Sequence, residues 1–267
     1  MIAAVASKKG DLSIPWPFAP RKVDLNTDTS LLKIVAMIAM FIDHAGKMLF
    51  PQYPIMRVIG RIAFPIYAYC IAVGCVYTRD PLKYFKRVVF LALISQPLYA
   101  VALGHETSAM YALSFAEHPV RAALNFYVQS WAHPSILLSL ALGILVIWSI
   151  RERQLLLTAA LALFCWKIQG QLDYGIRGIL LMTLFYLFSM KWWISLPVVL
   201  SYMVWWGLRG SGYELFEVQF GTQMFAVLAL PLIYIHTQSK IRLNKWVFYL
   251  FYPAHLIIIM ALDKFLI

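Results

Sequence analysis

Long apolar runs separated by short polar breaks recur along the chain, and this pattern limits the possible fold more than any other feature. The first run, LLKIVAMIAMFIDHAGKMLF at residues 31–50, is long enough to cross a bilayer as a helix. Charged residues make up only 13% of the sequence, about half the fraction of a soluble domain. The pattern therefore predicts an all-α, polytopic membrane bundle, in which helices satisfy the backbone polar groups.

Nine segments are predicted to be transmembrane helices. We expect them at residues 31–50, 55–77, 82–103, 134–150, 155–168, 174–190, 191–208, 220–236 and 244–264. Residues 1–30 are interpreted as a cytoplasmic lead-in, and residues 31–267 as one transmembrane domain. The long outer loop 104–133 contains PVRAALNFYVQSW, which has the pattern of an interfacial helix. Either a docking surface or a plain connection is compatible with this loop.

The basic residues predict the orientation of the bundle. If the N-terminus is cytoplasmic, most Lys and Arg residues fall in cytoplasmic segments, and the C-terminus lies outside. The expected location is therefore the inner (cytoplasmic) membrane of a bacterium, with the lipid bilayer as a partner. The net charge of +11 is explained by this orientation, so no nucleic-acid partner is expected.

Ionisable residues interrupt the apolar segments, at a cost of about 2.5–3.5 kcal/mol each on insertion scales. Those that share one depth are His44, Arg57, Arg61, Asp173, Arg177 and His255. The amide of Gln96 falls at the same depth. This convergence predicts a polar chamber in the outer half of the bundle.

Each of these residues also has a purely structural interpretation. Arg57 and Arg61 are able to reach lipid headgroups, and Asp173 and Arg177 have the spacing of an ion pair on one helix. His255 is compatible with a core histidine that donates to a carbonyl. No grouping has the spacing of a zinc site, so no metal is expected. The histidines expected to have ordinary roles are His105, His118, His133 and His236.

The spacing from Lys33 to His44 has a geometric consequence. Eleven helical residues make about three turns, so the two side chains share one stripe, roughly 16 Å apart along the axis. A phosphate at Lys33 and a reactive carbonyl at His44 would be joined by an extended, pantetheine-like arm. Asp43 lies about 100° away from this stripe and is not expected to orient His44. It is expected to hold an arginine from across the bundle: Arg57, Arg61 or Arg177.

Four stretches carry a resemblance to a known family. LKIVAMIAMFIDHAGKML, GRIAFPIYAY, DYGIRGILLM and FYLFYPAHLIII resemble the TraX family of bacterial membrane proteins, and they extend over nearly the whole chain. The resemblance implies an acetyltransferase, because the namesake of the family is tied to N-terminal acetylation of a conjugative pilin. The chain more distantly resembles the acyltransferase-3 superfamily of membrane O-acyltransferases. The first helix of that superfamily carries a basic residue, ten spacers and a histidine, as Lys33 and His44 do here.

The resemblance implies roles for particular residues. His44 corresponds to the essential histidine of the acyltransferases, whereas Gly175 matches a recurring position without an assigned role. Ser135 stands near a place where TraX sequences often have asparagine, which puts the identity of the acceptor in doubt. The expected catalytic residues are His44, Asp43, His255 and Asp173. The expected residues for binding acetyl-CoA are Lys33, Arg57, Arg61, Arg177 and Tyr174.

Three functions are compatible with the sequence. The first is an acetyl-CoA-dependent membrane N- or O-acetyltransferase, with an exported pilin or an envelope glycan as acceptor. His44 would act as general base or carry the acetyl group, His255 would be a second acid or base, and Arg61 or Arg177 would stabilise the oxyanion. The second is a proton-coupled transporter, although the chain shows no inverted repeat. The third is a non-catalytic protein of pilus or envelope assembly.

Overall fold

The chain folds as an α-helical bundle in a computed structural model, which describes residues 19–242 and 244–266. The helices are α1 (Thr29–Met48), α2 (Pro54–Gly60), α3 (Ala63–Tyr77), α4 (Pro81–Ala102), α5 (Pro119–Ser130), α6 (Ile136–Arg151), α7 (Leu155–Lys167), α8 (Gly175–Leu187), α9 (Trp192–Gly207), α10 (Leu230–Tyr234) and α11 (Lys245–Leu266). Two 3₁₀ segments occupy Ser108–Tyr111 and Thr222–Ala229. Strands β1 (Tyr213–Leu215) and β2 (Val218–Phe220) form a small antiparallel hairpin.

Every predicted transmembrane segment coincides with helical structure, but the segments differ in length. Four are long and apolar enough to cross a membrane: Thr29–Met48, Pro54–Tyr77, Pro81–Ala102 and Trp246–Phe265. The second of these is interrupted at residues 61–62, between α2 and α3. The expected segment 220–236 begins as a 3₁₀ helix and continues as α10. Nine crossings, and the sides on which the termini lie, stay predictions.

Residues just before α1 are packed into the bundle. The side chains of Val23, Leu25 and Asn26 are buried. The Asn26 amide donates to the Leu232 carbonyl at 2.9 Å, which ties this stretch to α10. Asp28 caps α1, because its carboxylate accepts from the free backbone N–H of Leu31 at 3.3 Å. The first 18 residues of the expected lead-in lie outside the described residues.

Helix α3 lies at the centre of the bundle. It packs against α1, α6 and α8, and its side chains Ile66, Ala68 and Tyr69 are completely buried. Helix α4 packs against α6 and α11, and α11 also contacts α1. In contrast, large apolar side chains such as Phe90 and Leu250 are exposed on the outside of the bundle. Such a surface suits a lipid environment.

The segment 104–133 contains the expected helix as α5. Val120, Leu124 and Val128 follow one another at four-residue intervals and are exposed, while Ala122 on another face is buried. This one-sided pattern is typical of an interfacial helix. The position of α5 at a membrane surface stays a prediction.

A candidate active site inside the bundle

A cavity of about 440 Å³ lies between α1, α3, α4, α6 and α11. The structure brings most of the predicted site residues to this cavity. Those that line it are Lys33, Asp43, His44, Arg57, Arg61, Asp173 and Tyr174. This volume is within the range of small-molecule sites.

Lys33 and His44 line the same cavity from different depths of α1, as the helical period requires. The Lys33 Nζ atom lies 5.1 Å from the centroid of the Phe248 ring, in a cation–π contact. Apolar side chains such as Met40 and Leu91 line the cavity as well. The cavity therefore has a cation at one level, an imidazole at another and apolar wall surface.

His44 and His255 are joined by a hydrogen bond. The Nδ1 atom of His44 lies 2.9 Å from Nε2 of His255, and Nδ1 of His255 lies 3.0 Å from the Phe251 carbonyl. A carbonyl can only accept, so Nδ1 of His255 carries the proton and its Nε2 accepts from His44. His44 is then protonated at Nδ1, which leaves its Nε2 with a free lone pair.

His255 itself lies behind His44, outside the residues that line the cavity, and is 1% exposed. The carbonyl contact expected of a core histidine is present, while a role of His255 as a second acid or base stays a prediction. His255 bonds a carbonyl in the core, and it also contacts the histidine of the site. Its geometry is that of a residue that orients His44 and does not touch a ligand in the cavity.

Asp43 holds two arginines at the wall of the cavity. Its Oδ2 accepts from Arg57 Nη1 at 2.6 Å, and its Oδ1 accepts from Arg61 Nη2 at 2.6 Å. The expected pairing of Asp43 with arginines from the second segment is thus present, and Arg177 takes no part in it. Because one carboxylate faces two guanidinium groups, the cluster keeps a net positive charge next to His44.

The cluster depends on close packing of α1 against α2. A Cβ atom added to Gly60 would overlap the Asp43 side chain, and one added to Gly46 would lie 2.5 Å from Met56 Cβ. Glycine at both positions lets the helices approach until Asp43 reaches both arginines. The interruption after Gly60 then places Arg61 in the turn between α2 and α3.

Asp173 and Tyr174 reach the cavity through a strained turn before α8. Tyr174 has φ 60° and Gly175 has φ 56°, both in the left-handed region that a bulky side chain rarely adopts. The Ser139 hydroxyl donates to the Asp173 carbonyl at 2.8 Å, and the Tyr174 ring stacks on Phe64 with centroids 4.1 Å apart. These contacts hold the turn in its unusual conformation.

Two residues expected in the chamber lie elsewhere. The Arg177 side chain is exposed, and its guanidinium lies 5.8 Å from the centroid of the Trp205 ring. In the described part of the chain, no ion pair joins it to Asp173. One helical turn from Asp173, the α8 backbone directs Arg177 away from the cavity.

Gln96 secures a loop and does not line the cavity. Its Nε2 donates to the carbonyls of Ser130 and His133 at 2.6 and 3.0 Å. Its Oε1 accepts from the Ser135 N–H at 2.9 Å. Gln96 therefore positions the backbone that carries His133.

Three residues missed by the sequence analysis line the cavity: Lys47, His105 and His133. Lys47 Nζ donates to the Leu103 carbonyl at 2.9 Å and lies 3.1 Å from His105 Nε2. Lys47 follows His44 by three residues, so its spacing was a usable signal. His105 and His133 come from the two ends of the long loop, and only the tertiary structure brings them together.

Burial, Lys47 and the neighbouring His133 lower the pKa of His105 to about 4. Its ring stacks on Tyr99, with centroids 5.4 Å apart. His105 is therefore neutral near pH 7, which agrees with its Nε2 accepting from Lys47. Within residues 19–242 and 244–266, no three His, Cys, Asp or Glu side chains are grouped as metal ligands.

The TraX protein family model matches residues 28–263, a range that includes the cavity residues and His255. The chain belongs to the TraX family. This match confirms the resemblance drawn from the four sequence stretches. Together with the four long apolar helices, it indicates a membrane protein.

Two relatives are similar to this TraX chain. The probable fimbrial assembly protein FimC, serogroup H1, of Dichelobacter nodosus is 26% identical over 263 residues, which cover 88% of this chain and 95% of that protein. The uncharacterized protein RP591 of Rickettsia prowazekii (strain Madrid E) is 56% identical over 39 residues, 15% of this chain and 16% of that protein. No solved structure matches the chain.

Proposed function

We propose that this TraX protein is an integral-membrane acetyltransferase, which transfers an acetyl group from acetyl-CoA to an amine or hydroxyl. One observation carries the proposal: the hydrogen bonds from His44 through His255 to the Phe251 carbonyl leave Nε2 of His44 unprotonated. His44 also lines a cavity with a net positive cluster. A base beside a preorganised positive charge is the arrangement that acyl transfer requires.

In this mechanism, His44 Nε2 takes the proton from the attacking amine or hydroxyl. The acceptor nitrogen or oxygen bonds to the acyl carbon, the C–S bond of the thioester breaks, and the departing thiolate takes the proton back from His44. The alternative is an acyl-histidine: Nε2 bonds to the acyl carbon, the C–S bond breaks and the thiolate leaves, and the amine or hydroxyl then attacks the acyl carbon, breaks the C–N bond and gives its proton to the released imidazole. Both routes need the same tautomer of His44.

The arginines are suited to stabilise the negative charge that develops on the carbonyl oxygen. Arg61 is fixed by Asp43 and lies 3.5 Å from the Tyr174 hydroxyl, so its orientation is set before a substrate binds. Preorganised donors of this kind contribute about 10²–10³-fold to kcat in other acyl-transfer enzymes. Arg177, the other residue considered for this role, lies outside the cavity.

The residues at the far end of the cavity fit the acetyl donor. A second, smaller cavity of about 300 Å³ shares Lys33, Cys70, Tyr84 and Tyr249 with the first and is also lined by Arg87. Two cations thus flank the position where a phosphorylated group would begin. From there, cavity wall that includes the apolar side chains Met40 and Leu91 extends toward His44. This lining suits a slender pantetheine arm. When bound, the donor supplies the thioester that His44 acts on.

The acceptor is proposed to be an exported pilin or an envelope glycan. The similarity to a probable fimbrial assembly protein supports a pilus-related role. An N-terminal amine of pilin and a glycan hydroxyl both carry the proton that His44 would remove. The name of that relative is also compatible with assembly without catalysis, so the experiment must separate the two.

The proposal is tested with purified protein and acetyl-labelled acetyl-CoA. We expect thioester cleavage or label transfer, reduced by about 10²–10⁴-fold in His44→Gln, because a general base contributes roughly that much. Lys33→Ala should weaken acetyl-CoA binding while His44→Gln should not. Label that remains on His44 after rapid quenching would identify an acyl-histidine.

Other results would favour the alternative functions. Cleavage that is unchanged in His44→Gln would remove His44 from the mechanism. Substrate flux into vesicles without acetyl-CoA would favour a transporter. Normal pilus assembly with a folded His44→Gln protein would favour a non-catalytic role.

A further inference from the structure

Lys47 lies at the cavity on the side of His44 opposite to Lys33, and no carboxylate among the described residues forms an ion pair with it. Its Nζ atom donates to a carbonyl, that of Leu103, and to the neutral ring of His105. Among the described residues, the ion pairs of the cavity are those of Asp43 with Arg57 and Arg61. Lys47 therefore hydrogen-bonds two neutral acceptors and no carboxylate, although Asp173 and Asp43 attract it and Arg57 repels it from farther away.

His105, the neighbour of Lys47, adds a second hydrogen-bond donor at this end of the cavity. Because His105 Nε2 accepts from Lys47, the proton of the neutral His105 ring is on Nδ1. An ammonium group has three N–H bonds, and two are directed to the contacts described above. One ammonium proton thus stays available in a partly buried setting, where an uncompensated charge is costly. A bound anion would accept a hydrogen bond from this proton.

The position of Lys47 along α1 suits an anionic group of the molecule that receives the acetyl group, and does not suit a phosphate of acetyl-CoA. Lys47 follows His44 by three residues, a rise of about 4.5 Å along α1, whereas Lys33 is about 16 Å away in the other direction. A phosphate of the donor lies at the far end of the pantetheine arm from its thioester. It cannot reach Lys47 while the thioester is at His44.

We infer that Lys47 and His105 form a subsite for an anionic group of the acceptor, a carboxylate or phosphate close to its nucleophilic amine or hydroxyl. This inference rests on the proposed acetyltransferase function and narrows the class of its acceptor. Suitable acceptors are a peptide whose first residue is acidic and an amino sugar or hydroxyl sugar that carries a phosphate or carboxylate. His133, whose ring centroid lies 5.4 Å from that of His105, borders this subsite.

The first experiment measures binding without catalysis. The full chain is placed in nanodiscs of neutral phosphatidylcholine, and its Tm is recorded with inorganic phosphate against chloride at equal ionic strength. The comparison is made in the Lys33→Gln background, which weakens the phosphate site proposed for the donor: phosphate should raise the Tm of Lys33→Gln, and the shift should be lost in the double variant Lys33→Gln/Lys47→Gln. Glutamine removes the charge and retains an N–H donor, on a side chain one bond shorter than that of lysine. An equal shift in Lys33→Gln and in Lys33→Gln/Lys47→Gln would overturn the subsite.

The second experiment compares acceptors that differ only in charge. The pairs are glucosamine 6-phosphate with glucosamine, and the peptide amides Asp-Ala-Ala with Asn-Ala-Ala. We expect kcat/KM to be about tenfold higher for one anionic member, a preference worth about 1.4 kcal/mol that Lys47→Arg keeps and Lys47→Gln loses. The pair that responds distinguishes a glycan source from a peptide source.

The two experiments separate failure of this inference from failure of the proposed function. Acetyl transfer without any charge preference in the wild type would overturn the subsite and leave the acetyltransferase standing. A phosphate shift that depends on Lys47, without acetyl transfer, would keep the anion site and reject the enzyme. If Lys47→Gln does not fold, the comparison of acceptors on the wild type decides.

Discussion

His44 Nδ1 and His255 Nε2 lie 2.9 Å apart, although 211 positions separate the two residues in the chain. This contact links the first helix of the bundle to the last one. Because His255 is fixed in turn by the Phe251 carbonyl, one backbone acceptor determines the tautomer of both rings. The tautomer of His44 therefore depends on a residue that does not line the cavity.

The first prediction concerns this dependence. His255→Ala should lower kcat by roughly 10–100-fold, the usual effect of losing a partner that orients a functional side chain. His255→Gln should recover part of the loss, because its carboxamide oxygen can accept from His44 Nδ1. Rates of thioester cleavage at saturating acetyl-CoA would measure both. Full activity in His255→Ala would refute the role of His255, and so would an effect confined to KM.

The second prediction compares two arginines that the sequence did not distinguish. Arg61→Ala should lower kcat by about 10²–10³-fold, because it removes a fixed positive group from the wall of the cavity. Arg177→Ala is the matched control, since its side chain is exposed and packs on Trp205. Its kcat should stay within about twofold of the wild type. Equal losses in the two variants would contradict the placement of the site.

The third prediction concerns the close approach of α2 to α1. Gly60→Ala should destabilise the fold by roughly 1–3 kcal/mol, because the added methyl group overlaps Asp43 and must displace it. Gly170→Ala is the control for stability, since a Cβ there meets no atom within 4 Å. Unfolding in detergent, followed by circular dichroism, would compare them. A Gly60→Ala protein as stable as Gly170→Ala would show that the helices are not in tight contact.

The fourth prediction is a pH dependence of stability that arises from His105. Its pKa is about 4 in the folded protein, below the ordinary value of 6.5, so the unfolded chain binds more protons between these values. The contribution of His105 to the free energy of unfolding is therefore full above pH 6.5 and is lost as the pH falls toward 4. The groups that face it are Lys47 and His133, with Tyr99 stacked on its ring.

The control for this pH dependence is His105→Gln, which retains polarity but does not titrate in this range. Its Tm should fall less steeply than that of the wild type between pH 7 and pH 4.5. Parallel curves would mean that His105 titrates normally in the folded state. Such a result would also weaken the neutral donor–acceptor contact with Lys47.

Local sequence patterns predicted much of the architecture. Each expected apolar segment contains helix, and the common stripe of Lys33 and His44 on α1 follows from the 3.6-residue period alone. The same period placed Asp43 and His44 on different faces of α1, and on that basis Asp43 was predicted to pair with an arginine across the bundle. These predictions succeeded because backbone geometry within one helix fixes the relative directions of its side chains.

Only the tertiary structure decided how the helices face one another. The rotation of α8 about its axis leaves Arg177 outside the cavity, while the turn at Tyr174 and Gly175 directs Asp173 into it. The partnership of His44 with His255 depends on contact between helices far apart in the chain. No local period carries that information, because it is set by packing among all the helices at once.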